Sequence, residues 1–365
     1  MTRHFLSPEA QALYSAARLD AVRALAQVAH EEGCAFVVVC GDIFDSNHLD
    51  RSVVVRALEA MRDFTVPVYL LPANHDPLNA ASIYRSPEFA ANRPENVHFL
   101  GSSDPVMVAG SVAELVGAPW DSKQPAEDLV ARASTSLEAR EPGAPPRVLV
   151  AHGAIAEGGP DQHNPALIRL ATAEAALASA TVEYIALGDR HSTTAVGTTG
   201  RIWYAGTPLV TDYDELDPNN ALVVEIANDR TVSVTSHRVG DWAFLKQRFD
   251  VNGADDVDHV GDWLDALPDK HTTVVKLSFE GTLNLTENAR LEELLDHNAH
   301  LFAALETWER RTDLAVLPDD ADFGDVVLVG AARKALDDLR TKAEAGGDSG
   351  QTAQDALALL FRLAR

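Results

Sequence analysis

The sequence predicts an α/β protein. Short, wholly apolar runs rich in β-branched residues alternate with stretches whose apolar residues recur at helical intervals. Several of those runs pass directly into loops rich in Asp, Asn and His. After about residue 240 the pattern changes character.

The elements follow in order. Ala10, Leu13, Ala17, Val22, Leu25, Val28 and Ala29 predict a helix over 8–33. Phe36-Val37-Val38-Val39-Cys40 reads as a buried strand ending at Gly41-Asp42. Residues 50–64 repeat the helical pattern, and the strand at 66–71 ends at Pro72-Ala73-Asn74-His75-Asp76. Short strands are expected at 97–100, 106–109 and 113–117, then a strand at 147–151, a helix at 165–179 and a strand at 182–187. A β section spans 202–239. Beyond it, 246–281 reads as strand–helix–strand and Leu285–His297 as a further helix, with Trp242 and Trp263 expected in the core of this part. The tail predicts helices at 325–343 and 351–364 around a Gly-rich break.

Composition narrows the class. Of 365 residues, 46% are hydrophobic and 23% charged, which suits a globular chain. No run approaches the roughly 18 apolar residues of a membrane span, and Met1–Phe5 carries no apolar signal core. A cytoplasmic protein with no membrane partner is expected. Cys34 and Cys40 predict no disulfide framework and fit a reducing compartment. The net charge of −25 argues against gripping nucleic acid by bulk charge. An acidic site that holds divalent cations still accepts phosphates. Asn284-Leu285-Thr286 matches a glycosylation acceptor but, without a signal core, is not read as one.

Four strand ends carry the chemistry. Asp42 follows the first strand at a glycine turn. Asn74-His75-Asp76 sets a neutral oxygen ligand, an imidazole and a carboxylate side by side after the second. His152-Gly153 follows the third, and Asp189 and His191 follow the fourth at an i, i+2 spacing that puts both on one side of an extended segment. Any one of these is also what a plain turn contains; four in succession are not independent accidents. Oxygen and imidazole donors without thiolate suit Mn²⁺, Fe or Zn²⁺, and α/β folds build ligand sites at such strand ends.

The order GDxxD, NHD, HG and GDxH resembles the calcineurin-like metallophosphoesterase superfamily. Gly41-Asp42-Ile43-Phe44-Asp45-Ser46, and Tyr204-Ala205-Gly206-Thr207-Pro208 followed by Asp214-Glu215, are similar to segments of its SbcD-type DNA repair nucleases. The likeness covers roughly residues 15–240. It implies a metallophosphoesterase-type αββα sandwich over 1–240, a small α/β cap domain over 241–312 and a C-terminal helical tail over 313–365. It implies two divalent metal ions, Mn²⁺ foremost with Fe or Zn²⁺ as alternatives, and a metal-activated hydroxide as nucleophile. Asp42 would bridge the metals; Asn74, His152 and Asp189 would complete one site, and His191 would belong to the other. His75 would act by the phosphate as general acid or transition-state stabiliser, with Asp76 orienting its ring. Arg190 and Arg85 are candidates for substrate phosphates.

Three positions depart from the family pattern. The usual GHxH has Asp189 at its first histidine, and the usual GNHD has Ala73 in place of glycine. The family opens with a strand ending in DxH; none precedes Asp42, so the first strand is expected to be missing from 1–240.

Three functions follow. The leading one is an SbcD-like DNA exo/endonuclease in DNA repair, working with an SbcC-like coiled-coil ATPase that the tail would tether, and able to form a homodimer. The acidic charge favours a small-molecule phosphodiesterase or phosphatase. The missing DxH allows a non-catalytic, partner-binding subunit.

Overall fold

The computed structural model describes residues 3–135, 137–141, 143–156, 164–317 and 331–344, with 352–353 and 356–357. The chain divides into two units, Ala12–Trp242 and Ala243–Arg365, the latter joined by Thr2–Gln11.

Helix α1 (Pro8–Glu31), of which all but the first turn belongs to the first unit, leads to strand β1 (Val37–Val39), helix α2 (Arg51–Ala60), β2 (Val68–Leu70), α3 (Pro87–Asn92) and β3 (Val97–Phe99). β1, β2 and β3 form a parallel sheet in that order. Then come β4 (Val106–Met107), β5 (Glu114–Gly117), α4 (Leu129–Thr135), β6 (Arg147–His152), α5 (Leu170–Ala178), β7 (Tyr184–Gly188), β8 (Thr194–Ala195) and β9 (Ile202–Tyr204). They make a second sheet of order β4-β5-β6-β7-β9-β8. An antiparallel hairpin of β10 (Asn220–Ile226) and β11 (Val232–Arg238) follows.

The central strands of the two sheets are apolar because both faces of each are covered. Alternate side chains sort cleanly. Phe36, Val38, Cys40, Tyr69, Leu71, Val148, Val150, Tyr184 and Ala186 share one core between the sheets, closed by Val224, Ile226, Val232 and Val234 of the hairpin. Val37, Val39, Val68 and Leu70 face the other way, onto α1, α2 and α3. Leu149, Ala151, Ile185 and Leu187 face α4 and α5. The layering is therefore helix–sheet–sheet–helix, as expected.

Several expectations shift in detail. Leu13 is 53% exposed, and Tyr14 takes the buried place on α1, its hydroxyl donating to the Val210 carbonyl at 2.8 Å. α5 begins at Leu170 rather than 165, because Ile168 is first used to pair with the backbone at Ala154 and Ala156. Trp242 is buried in the first unit against Tyr14, not in the core of the second. Both cysteines are free, and they pack in different cores.

The second unit is a parallel sheet. β12 (Ala243–Val251) and β13 (Thr273–Asn284) pair along nine residues, Ala243 with Thr273 through Val251 with Gly281. The far side of β13 pairs first with β14 (Ala304–Thr307), then with β15 (Asp313–Leu317). The sheet thus runs past the expected boundary at 312. Helices α6 (Ala254–Ala266) and α7 (Leu285–Ala299) cover it, and Trp263 packs on Phe249 in this core. Asn284 caps α7: its Oδ1 accepts from Glu287 N at 2.8 Å while the Glu287 carboxylate accepts from Asn284 N at 2.9 Å. Of the expected tail helices, α8 (Ala331–Glu344) is described, and most of 351–364 lies outside the described residues. Among the described residues, no helix is long and apolar enough to cross a membrane.

At the N-terminal ends of β5 and β6 a buried ion cluster aligns the strands. Arg147 Nε and Arg140 Nη1 lie 2.5 and 3.0 Å from the two Glu114 oxygens. Arg147 also donates to the carbonyls of Glu138 and Thr181. Burial pushes the Glu114 carboxyl up, but the two guanidiniums outweigh it and hold it below the ordinary glutamate value. Its stabilisation is therefore present above the unfolded value, near pH ~4.3, and is lost as pH falls through the lower folded value. Glu114→Gln should cost about 3 kcal/mol at neutral pH. In denaturant titrations the gap to wild type should close below about pH 4.

Candidate metal centre

The site is built where β1, β2, β6 and β7 end. Gly41, at φ +97°, turns the chain after β1, and Asp42 follows at φ +53°. A Cβ on Gly41 would lie 2.5 Å from both Ala73 Cβ and His152 Nδ1. Gly188 is tighter still: a Cβ there would sit 1.9 Å from the Cys40 carbonyl oxygen and 2.8 Å from His152 Nδ1. Only glycine lets β1, β6 and β7 converge this closely.

Into that convergence His152 is locked. Its Nδ1 lies 2.8 Å from the Cys40 carbonyl. A carbonyl only accepts, so Nδ1 carries the proton and Nε2 presents its lone pair. Nε2 is 3.3 Å from Asp42 Oδ2 and 3.7 Å from Asp189 Oδ1. The Asn74 amide adds a fourth group, one end lying 2.8 Å from Nε2 and 3.1 and 3.3 Å from the two Asp42 oxygens. That amide serves the position with either end: NH₂ as donor to the carboxylate, or oxygen as ligand to a cation. Asp42, Asn74, His152 and Asp189, expected together from sequence, are therefore together.

The electrostatics point the same way. Burial pushes the His152 imidazole down, but the Asp42 carboxylate, the Cys40 carbonyl and the Asp189 charge outweigh it and raise its pKa. Burial pushes Asp42 up, and His152 and His75 pull it below the usual carboxylate value. A lone pair and two carboxylates facing one point create a strong demand for positive charge. A hard divalent cation meets it, so the donor chemistry fits the metal the sequence implies. Among the described residues, no group of three or more His, Cys, Asp or Glu side chains is placed to hold a metal ion, so the fit is one of donor chemistry. Asp189 holds its place at φ +105°, a strained conformation for a non-glycine residue that costs on the order of 1–3 kcal/mol.

His191 stands apart from this group. Its Nδ1 lies 2.8 Å from Glu215 Oε1 and 2.7 Å from Thr211 Oγ1. Glu215 raises its pKa, with burial opposing and the charges of Asp189 and Asp42 assisting. The carboxylate fixes the ring's tautomer and leaves Nε2 for a ligand. Glu215 lies in the segment after Tyr204–Pro208 that sequence singled out without a role for it. Tyr204 has a role too: its hydroxyl donates to the Gly153 carbonyl at 2.8 Å and accepts from Ile155 N at 3.1 Å, holding the loop behind His152. The Arg190 guanidinium lies over the same ring, 5.4 Å from its centre.

Asp76 needs correcting. The resemblance implies that it orients His75, but it is fully buried and bonds elsewhere. Its carboxylate accepts from Ala73 N at 2.9 Å, Phe44 N at 3.1 Å and the Tyr84 hydroxyl at 2.8 Å. It is a brace between the first two site loops and cannot touch a substrate. The Asp45 carbonyl orients His75 instead, lying 3.2 Å from Nδ1, so that Nε2 faces Asp42 Oδ2 at 3.9 Å. No sequence spacing distinguishes a carboxylate that braces loops from one that orients a ring. Arg85 is exposed and donates to the Asn79 carbonyl.

Residues 15–192 match the family described as calcineurin-like phosphoesterase. This stretch is a calcineurin-like phosphoesterase domain. The matched residues contain all four site loops, and the family is one of metal-dependent phosphoester hydrolases. No curated protein matches the chain. The crystal structure of a Thermus thermophilus protein designated TT1561 is similar over 61% of this chain and 94% of its own, at 9% identity and a TM-score of 0.38.

Two outcomes test the site's construction. Gly188→Ala should force β1 and β7 apart, cost about 3 kcal/mol or more in denaturant unfolding and weaken divalent-cation binding measured by calorimetry. Asp76→Ala strands three buried donors and should cost about 3 kcal/mol or more, seen as a lowered unfolding midpoint.

Proposed function

We propose that the chain is a metal-dependent phosphodiesterase whose substrate is DNA. One observation carries the hydrolase chemistry: four strand-end loops bring the Asn74 amide, the Asp42 carboxylate and the Asp189 carboxylate to 2.8, 3.3 and 3.7 Å from His152 Nε2. Asp42, Asn74, His152 and Asp189 would hold one divalent cation, and Asp42 and His191 would contribute to a second. Cations held there would supply Lewis acidity toward phosphate oxygens and activate a water.

The chain's own residues do the rest. His75 is half-exposed beside Asp42 and is not engaged by a carboxylate at Nδ1. That leaves it able to donate a proton to a departing oxygen or a hydrogen bond to the phosphate. Exposed Arg190, steadied over Tyr204, supplies a positive charge at the mouth. Glu215 orients His191.

DNA as substrate is supported by the Tyr204–Pro208 and Glu215 segment, which resembles that of SbcD-type nucleases and braces this site. A second α/β unit following the phosphoesterase domain supports it as well. On this reading the ions are manganese, and α8 belongs to a tail that tethers an SbcC-like ATPase. The net charge of −25 favours a second reading, a small-molecule phosphodiesterase.

With added Mn²⁺, the full chain should degrade linear DNA and also hydrolyse a chromogenic phosphodiester. Hydrolysis of the chromogenic ester alone supports the second reading, and hydrolysis of neither removes both. His75→Ala should lower kcat by about 10²–10⁴-fold while the unfolding midpoint stays near wild type. Asp42→Asn should abolish both cation binding and hydrolysis.

A further inference from the structure

Beside the Asp42–His152 group the phosphoesterase domain carries a cavity of about 430 Å³. Its lining comes from two loops, 120–126 after β5 and 164–166 between β6 and α5. Trp120 is the wall it shares with the metal-side group. The Trp120 indole Nε1 donates to the His152 carbonyl at 2.8 Å. Its backbone N donates to the Pro72 carbonyl at 3.0 Å, and its carbonyl accepts from Leu78 N at 2.8 Å. These bonds flank the Asn74–Asp76 loop, and the Trp120 ring that lines the cavity also meets the His152 ring edge-on, centroids 6.2 Å apart.

The lining divides by chemistry. Trp120, Pro125 and Pro165 provide flat apolar surface. Lys123, Gln124 and Asn164 provide the polar groups. The Asn164 Oδ1 already accepts from Ala166 N at 3.0 Å, so its further capacity is the Nδ2 donor. Lys123 has only donors. Among the described residues, no acidic side chain lines the cavity, although the chain carries 55 Asp and Glu. Flat apolar walls with donor groups at the rim suit a planar group edged with acceptors. The volume lies within the roughly 300–1,000 Å³ of small-molecule sites.

We propose that this cavity is a nucleobase subsite, holding the base of the nucleotide whose phosphate lies at the Asp42–His152 group. The inference rests on the phosphoester reading of that group. The base belongs either to a nucleic-acid strand or to a free nucleotide; the recognising chemistry is the same. Apolar and aromatic faces take the ring, and Asn164 Nδ2 with Gln124 reads its acceptors.

The test is calorimetric titration of the full chain with thymidine 5′-monophosphate and with 2-deoxyribose 5-phosphate, its baseless counterpart. Wild type should bind the nucleotide at least about fivefold tighter. Asn164→Asp keeps the Oδ1 turn bond and removes the donor; together with Gln124→Ala it should erase that preference. Equal affinities in wild type, or a preference that survives in the double variant, would overturn the proposal. Tighter binding of a tetrathymidylate than of the mononucleotide assigns the base to a strand, and equal or weaker binding assigns it to a free nucleotide. Hydrolysis of methyl p-nitrophenyl phosphate with Mn²⁺ is measured in parallel. Base preference without hydrolysis retains the subsite and removes the phosphoester reading; hydrolysis without base preference does the reverse.

Discussion

The hydrogen bond from His152 Nδ1 to the Cys40 carbonyl crosses from one sheet to the other, at the point where β6 and β1 end. Most of the site depends on it. It sets the tautomer of His152 and so turns a lone pair, rather than an N–H, toward Asp42 and Asp189. It also demands that the backbones approach more closely than any side chain allows, which is why Gly41 and Gly188 stand where they do. The inter-sheet core beneath it, from Val38 to Ala186, supplies the burial that holds the two sheets in register for that one contact.

Around this bond the chain gives up stability to gain geometry. Asp42 and Asp189 occupy positive φ, and Asp76 is buried among donors while burial pushes its carboxyl up. The compensation is spread over braces that never touch the centre: Tyr84 on Asp76, Tyr204 on the loop behind His152, Trp120 on the His152 carbonyl. At the opposite end of the strands, Arg147 and Arg140 on Glu114 anchor the sheet far from the chemistry. The phosphoesterase domain thus has a hydrogen-bonded floor and a strained, charge-demanding rim.

The surface follows the same division. A chain of net charge −25 does not attract phosphate esters through its overall field. On the proposed function, attraction would be local, from cations held at the Asp42–His152 group and from Arg190 over Tyr204. The cavity beside Trp120, which no acidic side chain lines among the described residues, extends that local exception away from the metal-side residues. On the proposed function, a substrate would be recognised by what these few groups offer.

Much of this was legible in sequence. The β-branched runs, their lengths and the polar loops at their ends identify the strands and the order of the site loops, because strand periodicity and turn chemistry are local properties. The donors Asp42, Asn74, His152 and Asp189 could be named for the same reason. Local pattern could not say that Asp76 braces loops rather than orienting His75, that Glu215 holds His191, or that Tyr14 rather than Leu13 faces inward. Those depend on which atoms meet across long stretches of chain, as His152 and Cys40 do. Sequence by itself determined which side chains are available and which strand end carries each. Only the tertiary structure decided which nitrogen, which oxygen and which carbonyl face one another, since hydrogen-bond direction is set by three-dimensional approach.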